Sequence, residues 1–169
     1  MPTARSRTRL KLQELPFDER LVPPHVPRNM NDSNADEGFV VPFDKYFPDM
    51  AQAECRVATV FNRGDLPNDE YGLLESYCDD PACDCRRVML NVASRKQNKI
   101  LATVSFGFDP NDPLCGPFLD PLNHQSKHAP VLLKLVETIL HDSQYVARLE
   151  RHYGLVKNAS AKKARHGKV

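Results

Sequence analysis

The sequence predicts an α+β domain in which a small antiparallel β-sheet of three to four strands is covered by two C-terminal helices. Apolar and polar residues alternate through three consecutive segments between residues 70 and 108, as in strands with one buried face. Further along, apolar residues recur at i, i+3 and i+4 from Leu132 to Leu140, as on the buried face of a helix. A sheet with one apolar face needs a cover, and the helical segments supply it.

The three alternating segments predict an antiparallel meander. The first spans residues 70–77, the second 86–94 and the third 99–108. A polar loop of hairpin length, residues 95–98, joins the last two segments. The residues predicted to face inward are Val88, Leu90 and Val92 on the second strand, and Ile100, Ala102, Val104, Phe106 and Phe108 on the third.

Two shorter patterns precede the meander. Between residues 41 and 53 the apolar residues fall three and four apart, which predicts a short amphipathic helix that Pro48 limits to about two turns. A fourth, half-buried strand is predicted where four residues alternate with charged or small ones. These four residues are Cys55, Val57, Thr59 and Phe61.

The two helices at the C-terminal side have recognisable start and stop signals. Pro130 stands where a first helical residue would, and the apolar stripe follows it directly. The second helix is predicted to begin at Asp142, a good N-cap residue, and to end at Gly154, since glycine is favoured just past a helix end. So tight a junction predicts a helical hairpin or corner.

Proline and charge mark the limits of the predicted domain. It extends from residue 43 to residue 156, with an extended, disordered arm over residues 1–42 and a basic, disordered tail over residues 157–169. A net charge of only +1 argues against a protein that coats nucleic acid with its whole surface. The basic tail nevertheless leaves nucleic acid open as a partner.

The chain carries no sequence signal for a membrane. No apolar run approaches the roughly 18 residues of a membrane span, and no signal-peptide core follows the basic N-terminus. We therefore expect a cytoplasmic protein with no membrane partner. In a reducing compartment, five cysteines are better explained as metal ligands, reactive thiols or core residues than as disulfides.

Three of the five cysteines fall within eight residues, at the turn between the first two strands of the meander. Structural zinc sites take four thiolate or imidazole ligands, often from a tight turn. In Cys78-x4-Cys83-x-Cys85, Pro81 forces a bend between the first two cysteines, and the one-residue gap lets Cys83 and Cys85 project to the same side. The sequence therefore predicts structural zinc in the first hairpin, held by Cys78, Cys83 and Cys85.

The fourth zinc ligand is predicted to be Cys115. A Cys-Gly pair in a proline-bounded loop allows the tight turn whose amides usually surround a bound thiolate, although a small buried cysteine would explain Cys115 equally well. The alternatives are Cys55, which precedes a strand and fits the core better, and His124 and His128, whose x3 spacing lacks a helical context. Surface positions explain both histidines more simply.

Arg86 and Arg87 directly follow the last cysteine of the loop. They offset the charge of the thiolates or donate hydrogen bonds to sulfur, or they are the solvated start of the next strand. Both interpretations remain open from the sequence.

The cysteine stretch also carries a resemblance. Glu75-Ser-Tyr-Cys-Asp-Asp-Pro-Ala-Cys-Asp-Cys-Arg-Arg-Val88, followed by Asn91-Val92 and by Leu119-Asp-Pro-Leu-Asn123, resembles a family of uncharacterised bacterial proteins built on this loop. The resemblance covers residues 55–153 and leaves out both basic ends. It implies a metal site and no particular activity, since none is assigned to that family.

The site permits three functions. The first is a non-enzymatic, zinc-stapled module that binds a protein or nucleic-acid partner, because the chain has no Gly-rich phosphate loop, Gly-x-Ser-x-Gly or His-Glu-x-x-His motif. The second is a metal-dependent enzyme in which water takes the fourth position. Its proton-handling candidates are Asp79, Asp80, Asp84 and His124. The third is thiol redox chemistry at Cys83 and Cys85. If the protein is a non-enzymatic binding module, it has no catalytic residues.

Overall fold

A computed structural model describes residues 9–14 and 40–166 of the chain. They form seven strands and three α-helices. The strands are β1 (Arg9–Glu14), β2 (Val40–Pro42), β3 (Arg56–Phe61), β4 (Asp69–Cys78), β5 (Arg87–Ser94), β6 (Lys99–Gly107) and β7 (Gly116–Leu119). The helices are α1 (Pro48–Glu54), α2 (Ala129–Leu140) and α3 (Ser143–His166), and a short 3-10 turn precedes α1.

All seven strands belong to one antiparallel sheet. Its order is β1-β3-β4-β5-β6-β7, and β2 pairs with β4 beyond the end of β3. The predicted meander is therefore confirmed as β4, β5 and β6. The sheet is larger than the predicted three to four strands, because β1, β2 and β7 also join it. Strands β2 and β7 have only three and four residues and each contains a proline, and β1 lies within the predicted arm.

One face of the sheet carries the core. Along β4 and β5 the paired residues Leu73 and Val92, and Tyr77 and Val88, point to this face and are buried. Helix α2 covers β6 and β7, while α3 lies over β4 and β5. The two C-terminal helices thus cover the sheet as predicted, and the helix-facing side holds most of the buried apolar residues.

Helix α2 keeps the predicted face inward. Leu132, Leu135, Val136 and Ile139 are buried, whereas Leu140 is half-buried. Asp142 caps the next helix as predicted: its Oδ1 accepts the amides of Gln144 at 3.0 Å and Tyr145 at 3.3 Å.

The predicted end of the second helix at Gly154 is wrong. Helix α3 continues to His166, so Gly154 lies inside it, and residues 157–166 of the predicted basic tail are helical. The physical reason is tertiary contact: Val156 and Ser160 are buried, so the helix has packing partners beyond the glycine. Residues 167–169 and most of the predicted arm, residues 1–8 and 15–39, lie outside the described residues.

Two details before the meander also differ from the prediction. Pro48 begins α1, with its missing amide at the first helical position, and does not limit an earlier helix. The predicted strand is present as β3, and Val57 is buried as its alternation predicts, but Ala58 and Val60 are buried as well, so both faces of the strand are covered and the alternation fails at Phe61. Phe61 is 57% exposed.

Within the described residues, no helix is both long enough and apolar enough to cross a membrane.

Candidate metal centre

The cysteine loop, residues 79–86, joins β4 to β5 at one end of the sheet. A tight turn gives it its shape. The amide of Cys83 donates to the carbonyl of Asp80 at 3.2 Å, and the Asp80 carboxylate accepts the amide of Ala82 at 2.9 Å. Pro81 occupies the second position of this turn, where its fixed φ is favoured. The turn reverses the chain and brings Cys83 back toward Cys78.

The loop brings three sulfur atoms together. The Sγ atoms of Cys78, Cys83 and Cys85 all lie within 4.8 Å of one another, and the three side chains are partly buried. They form the one group of three or more potential metal ligands in the part of the chain that the structure describes. Three such close thiols could hold a metal ion, as the spacing predicts.

The three thiols differ in how readily they ionise without a metal. Burial raises the pKa of Cys85 to about 12, with the neighbouring charges of Cys78 and Cys83 adding to the effect, and burial also raises the pKa of Cys78. Burial opposes ionisation of Cys83 too, but hydrogen bonds from the other two thiols and the charge of Lys157 outweigh it and lower its pKa. Cys83 is therefore the one of the three thiols whose ionisation the surroundings favour, and a bound cation would favour the thiolate form of all three.

Lys157 lies beside the sulfurs, a position that no local sequence pattern predicts. It lies on α3, with Nζ 3.9 Å from the Sγ of Cys78, and it donates to the carbonyls of Asp80 at 2.7 Å and Cys83. A helix that ends at Gly154, as the sequence predicts, would leave Lys157 in a tail. Its spacing of four and eight residues from Tyr153 and Leu149 would have placed it on the same helical face.

Arg86 and Arg87 pair with groups in the segment after β6. Arg86 pairs with Asp109 at 3.4 Å, and Arg87 with Asp112 at 2.7 Å and with the carbonyl of Leu114 at 2.9 Å. Both guanidinium groups therefore fix the passage between β6 and β7. The sequence allowed two roles for these arginines, a contact with sulfur or a solvated strand start. The ion pairs with Asp109 and Asp112 correspond to neither role.

The candidates for a fourth ligand do not join the three cysteines. Cys115 is exposed and lies outside the group of close ligand atoms. The reason is its loop: the Cys115 amide donates to the carbonyl of Asp112, in the segment that Arg87 anchors. Cys55 is buried in front of β3, as its core interpretation predicts, while His124 is exposed and His128 half-buried before α2.

A second polar group, which the sequence does not predict, lies beneath α3. His152 is 1% exposed, and its Nε2 atom lies 3.3 Å from the Oε2 atom of Glu54, which Arg151 also contacts. The other ring nitrogen faces Glu75, and the Glu75 carboxylate accepts the hydroxyl of Tyr77. This group joins α1, β4 and α3. The signal in the sequence was Glu75 between Leu73 and Tyr77, in the inward phase of β4.

No protein-family model, curated protein or solved structure matches this chain. The resemblance to a bacterial family therefore stays a prediction, and the geometry alone carries the functional argument.

Proposed function

We propose that the protein binds one zinc ion through Cys78, Cys83 and Cys85, and that the zinc-stapled domain serves as a non-enzymatic module that binds a protein partner. The observation that carries the proposal is the convergence of three Sγ atoms within 4.8 Å of one another. Thiolates select soft or borderline metal ions. Among these ions, zinc has no redox chemistry and commonly serves as a structural ion in cysteine-rich turns.

The charge around the loop supports a divalent ion. Three thiolates around a divalent cation leave an excess of one negative charge. The ammonium group of Lys157 lies 3.9 Å from the Sγ of Cys78 and balances that charge. A monovalent ion would leave a larger negative excess in a partly buried site, which costs free energy.

The aspartates of the loop support a structural role over a catalytic one. Asp79 accepts the hydroxyl of Tyr46 at 2.9 Å and lies 3.8 Å from the ammonium of Lys45. Asp80 caps the turn, and Asp84 accepts the hydroxyl of Tyr153 at 3.5 Å. Each carboxylate that could move a proton is therefore engaged in holding the loop.

Metal analysis of the full chain tests this proposal. Protein purified without chelator is expected to contain one zinc ion per chain. Its cobalt-substituted form should show the intense absorption of thiolate ligands. Cys83→Ser should lose both, whereas Cys115→Ser is the matched control and should keep both, because Cys115 is exposed and apart from the other sulfurs. Absence of zinc and of any cobalt–thiolate absorption would rule the proposal out.

Thermal unfolding tests whether the metal is structural. Because binding free energy at such a site is folding free energy, chelator should lower the melting temperature of the wild type to that of Cys83→Ser. Equal melting temperatures for the chelated and untreated wild type would show that the metal does not hold the fold.

A metal-dependent enzyme is the second candidate. It is favoured by one observation: within residues 40–166, three and not four ligand atoms gather at the site. Catalytic zinc keeps one position for water or substrate. Cyanide added to the cobalt-substituted protein distinguishes the two functions. A spectrum that changes at low cyanide concentration favours an open catalytic position. An unchanged spectrum favours a structural site whose fourth position is filled by a group that cyanide does not displace.

A further inference from the structure

The C-terminal part of α3 contacts the cysteine loop through three side chains on one helical face. Tyr153, Lys157 and Ser160 are spaced by four and three residues, so they lie above one another along the helix. Ser160 donates to the carbonyl of Asp79, Lys157 donates to those of Asp80 and Cys83, and Tyr153 accepts the amide of Arg86 at 3.3 Å. The helix thus satisfies backbone groups along the whole length of the loop.

These contacts matter to the helix because few side chains at its end are buried. Val156 is the last residue of α3 in the buried core. Among residues 157–165, Ser160 is the only buried side chain, and it bonds to the loop. A helical end of about ten residues is marginal without tertiary contacts. The order of the last turns of α3 therefore depends on the order of the loop.

The loop in turn depends on what holds its sulfurs. Residues 79–86 belong to no strand. The two ends of the loop are held by the Tyr46–Asp79 and Arg86–Asp109 contacts, and the segment between them is held by the turn at Pro81, by the contacts to α3 and, under the proposed function, by the metal. A metal–thiolate group with an excess negative charge also attracts the ammonium of Lys157, which lies 3.9 Å from Cys78 Sγ. Metal and helix therefore stabilise the same loop conformation.

We propose that metal binding and docking of the last turns of α3 are thermodynamically coupled, with Lys157 as the positioning residue that links them. This inference rests on the proposed function, since it requires a metal at the three cysteines. Loading the loop with metal stabilises the helix from Lys157 onward. By reciprocity, the docked helix raises the affinity of the loop for metal by the same factor. The exposed basic side chains Lys163 and Arg165 then stand on an ordered helix when metal is bound.

Zinc affinity of full-length variants is the first test. Competition with a chromophoric chelator should show that Lys157→Met binds zinc about 10-fold more weakly than the wild type, the size expected for a residue that supports metal ligands. Lys157→Arg keeps the charge and should recover much of the loss. Lys163→Met removes an exposed charge from the same helix and should bind like the wild type.

Amide hydrogen exchange is the second test. Chelation of zinc should remove protection from the amides of residues 157–166, while the amides of β5 keep theirs. In Lys157→Met loaded with zinc, the same helical amides should exchange faster than in the loaded wild type. If Lys157 had only a local structural role, metal binding would not change the hydrogen-exchange protection of the helix end.

The outcomes separate the two proposals. If the wild type binds no zinc, the proposed function and the coupling both fail. If it binds zinc but Lys157→Met has the wild-type affinity, and protection of residues 157–166 does not respond to chelation, the coupling fails and the zinc site stands. If chelation unfolds the whole domain, hydrogen exchange cannot isolate the helix end. The zinc affinities of the wild type, Lys157→Met and Lys157→Arg then test the coupling, and equal affinities would contradict it.

Discussion

The Nδ1 atom of His152 lies 2.7 Å from the Oε2 atom of Glu75, in the interior between α3 and β4. The imidazole is also stacked on the ring of Phe43, with 4.2 Å between the ring centroids. The same Glu75 oxygen accepts the hydroxyl of Tyr77 at 2.6 Å, and burial together with the Glu75 charge raises the pKa of that phenol well above its ordinary value. Because water is excluded, each polar partner depends on the others.

Removing one partner of this group should be destabilising. Glu75→Ala removes the acceptor of the Tyr77 hydroxyl at 2.6 Å and the partner of His152 Nδ1 at 2.7 Å. The Tyr77 hydroxyl keeps its 3.2 Å bond to the Leu149 carbonyl, so we expect the free energy of unfolding to fall by about 1 to 3 kcal/mol. Replacing Glu75 and His152 together by leucine should recover much of that loss, since the pair is then apolar. Urea unfolding measures both changes. Glu150→Ala, on the exposed side of α3, is the control and should change stability little. If Glu75→Ala had an effect as small as that of Glu150→Ala, the prediction would be wrong.

The buried face of α2 gives a second prediction. Leu135 and Ile139 are fully buried against the sheet, so truncation of either to alanine should lower the free energy of unfolding by about 2 to 5 kcal/mol. Lys134→Ala, one position away on the exposed side, should change it by less than about 0.5 kcal/mol. Chemical denaturation gives all three values. A larger cost for Lys134→Ala would mean that α2 is rotated about its axis.

The two cysteines outside the loop should differ in reactivity. Burial, and then the charge of Glu75, raises the pKa of Cys55 to about 12, and its side chain is 5% exposed. Cys115 is exposed. Because the thiolate is the reactive form, a thiol reagent at neutral pH should modify Cys115 rapidly and Cys55 only after unfolding. Mass spectrometry of the native, zinc-loaded protein locates the modified residue, and Cys115→Ser should abolish the fast reaction. Rapid native modification of Cys55 would contradict its enclosure.

Local patterns were enough to predict the centre of the fold. The alternation in β4, β5 and β6 and the stripe on α2 each reflect burial of one face, which a sequence records directly. The spacing of Cys78, Cys83 and Cys85 also predicts their convergence, because a single turn at Pro81 brings them together. These features depend on neighbours within about ten residues, so no knowledge of the tertiary structure was needed.

Features that depend on distant contacts were not predictable in this way. Lys157 reaches the loop from a helix far along the chain, and Arg87 is drawn to Asp112 by the path of another loop. That same path separates Cys115 from the other cysteines. Strand β1 pairs with β3, although the two strands lie far apart in the chain. Each of these interactions joins segments that are far apart in the chain, and no local sequence pattern shows that they are close in space.

Gly154 provides the last prediction, because the sequence and the structure give it opposite roles. As a residue past a helix end it would need to be glycine, but in the structure it lies inside α3, and a Cβ atom added there meets nothing within 4 Å. Glycine in a helix interior costs roughly 0.5 to 1 kcal/mol relative to alanine. Gly154→Ala should therefore raise the free energy of unfolding by about that amount. The matched control is Gly116→Ala, at a residue with a φ of +78°, where alanine is strained and should lower stability. Thermal and urea unfolding of both variants measure the difference. If Gly154→Ala is less stable than the wild type, the helix ends at Gly154, as the sequence predicts.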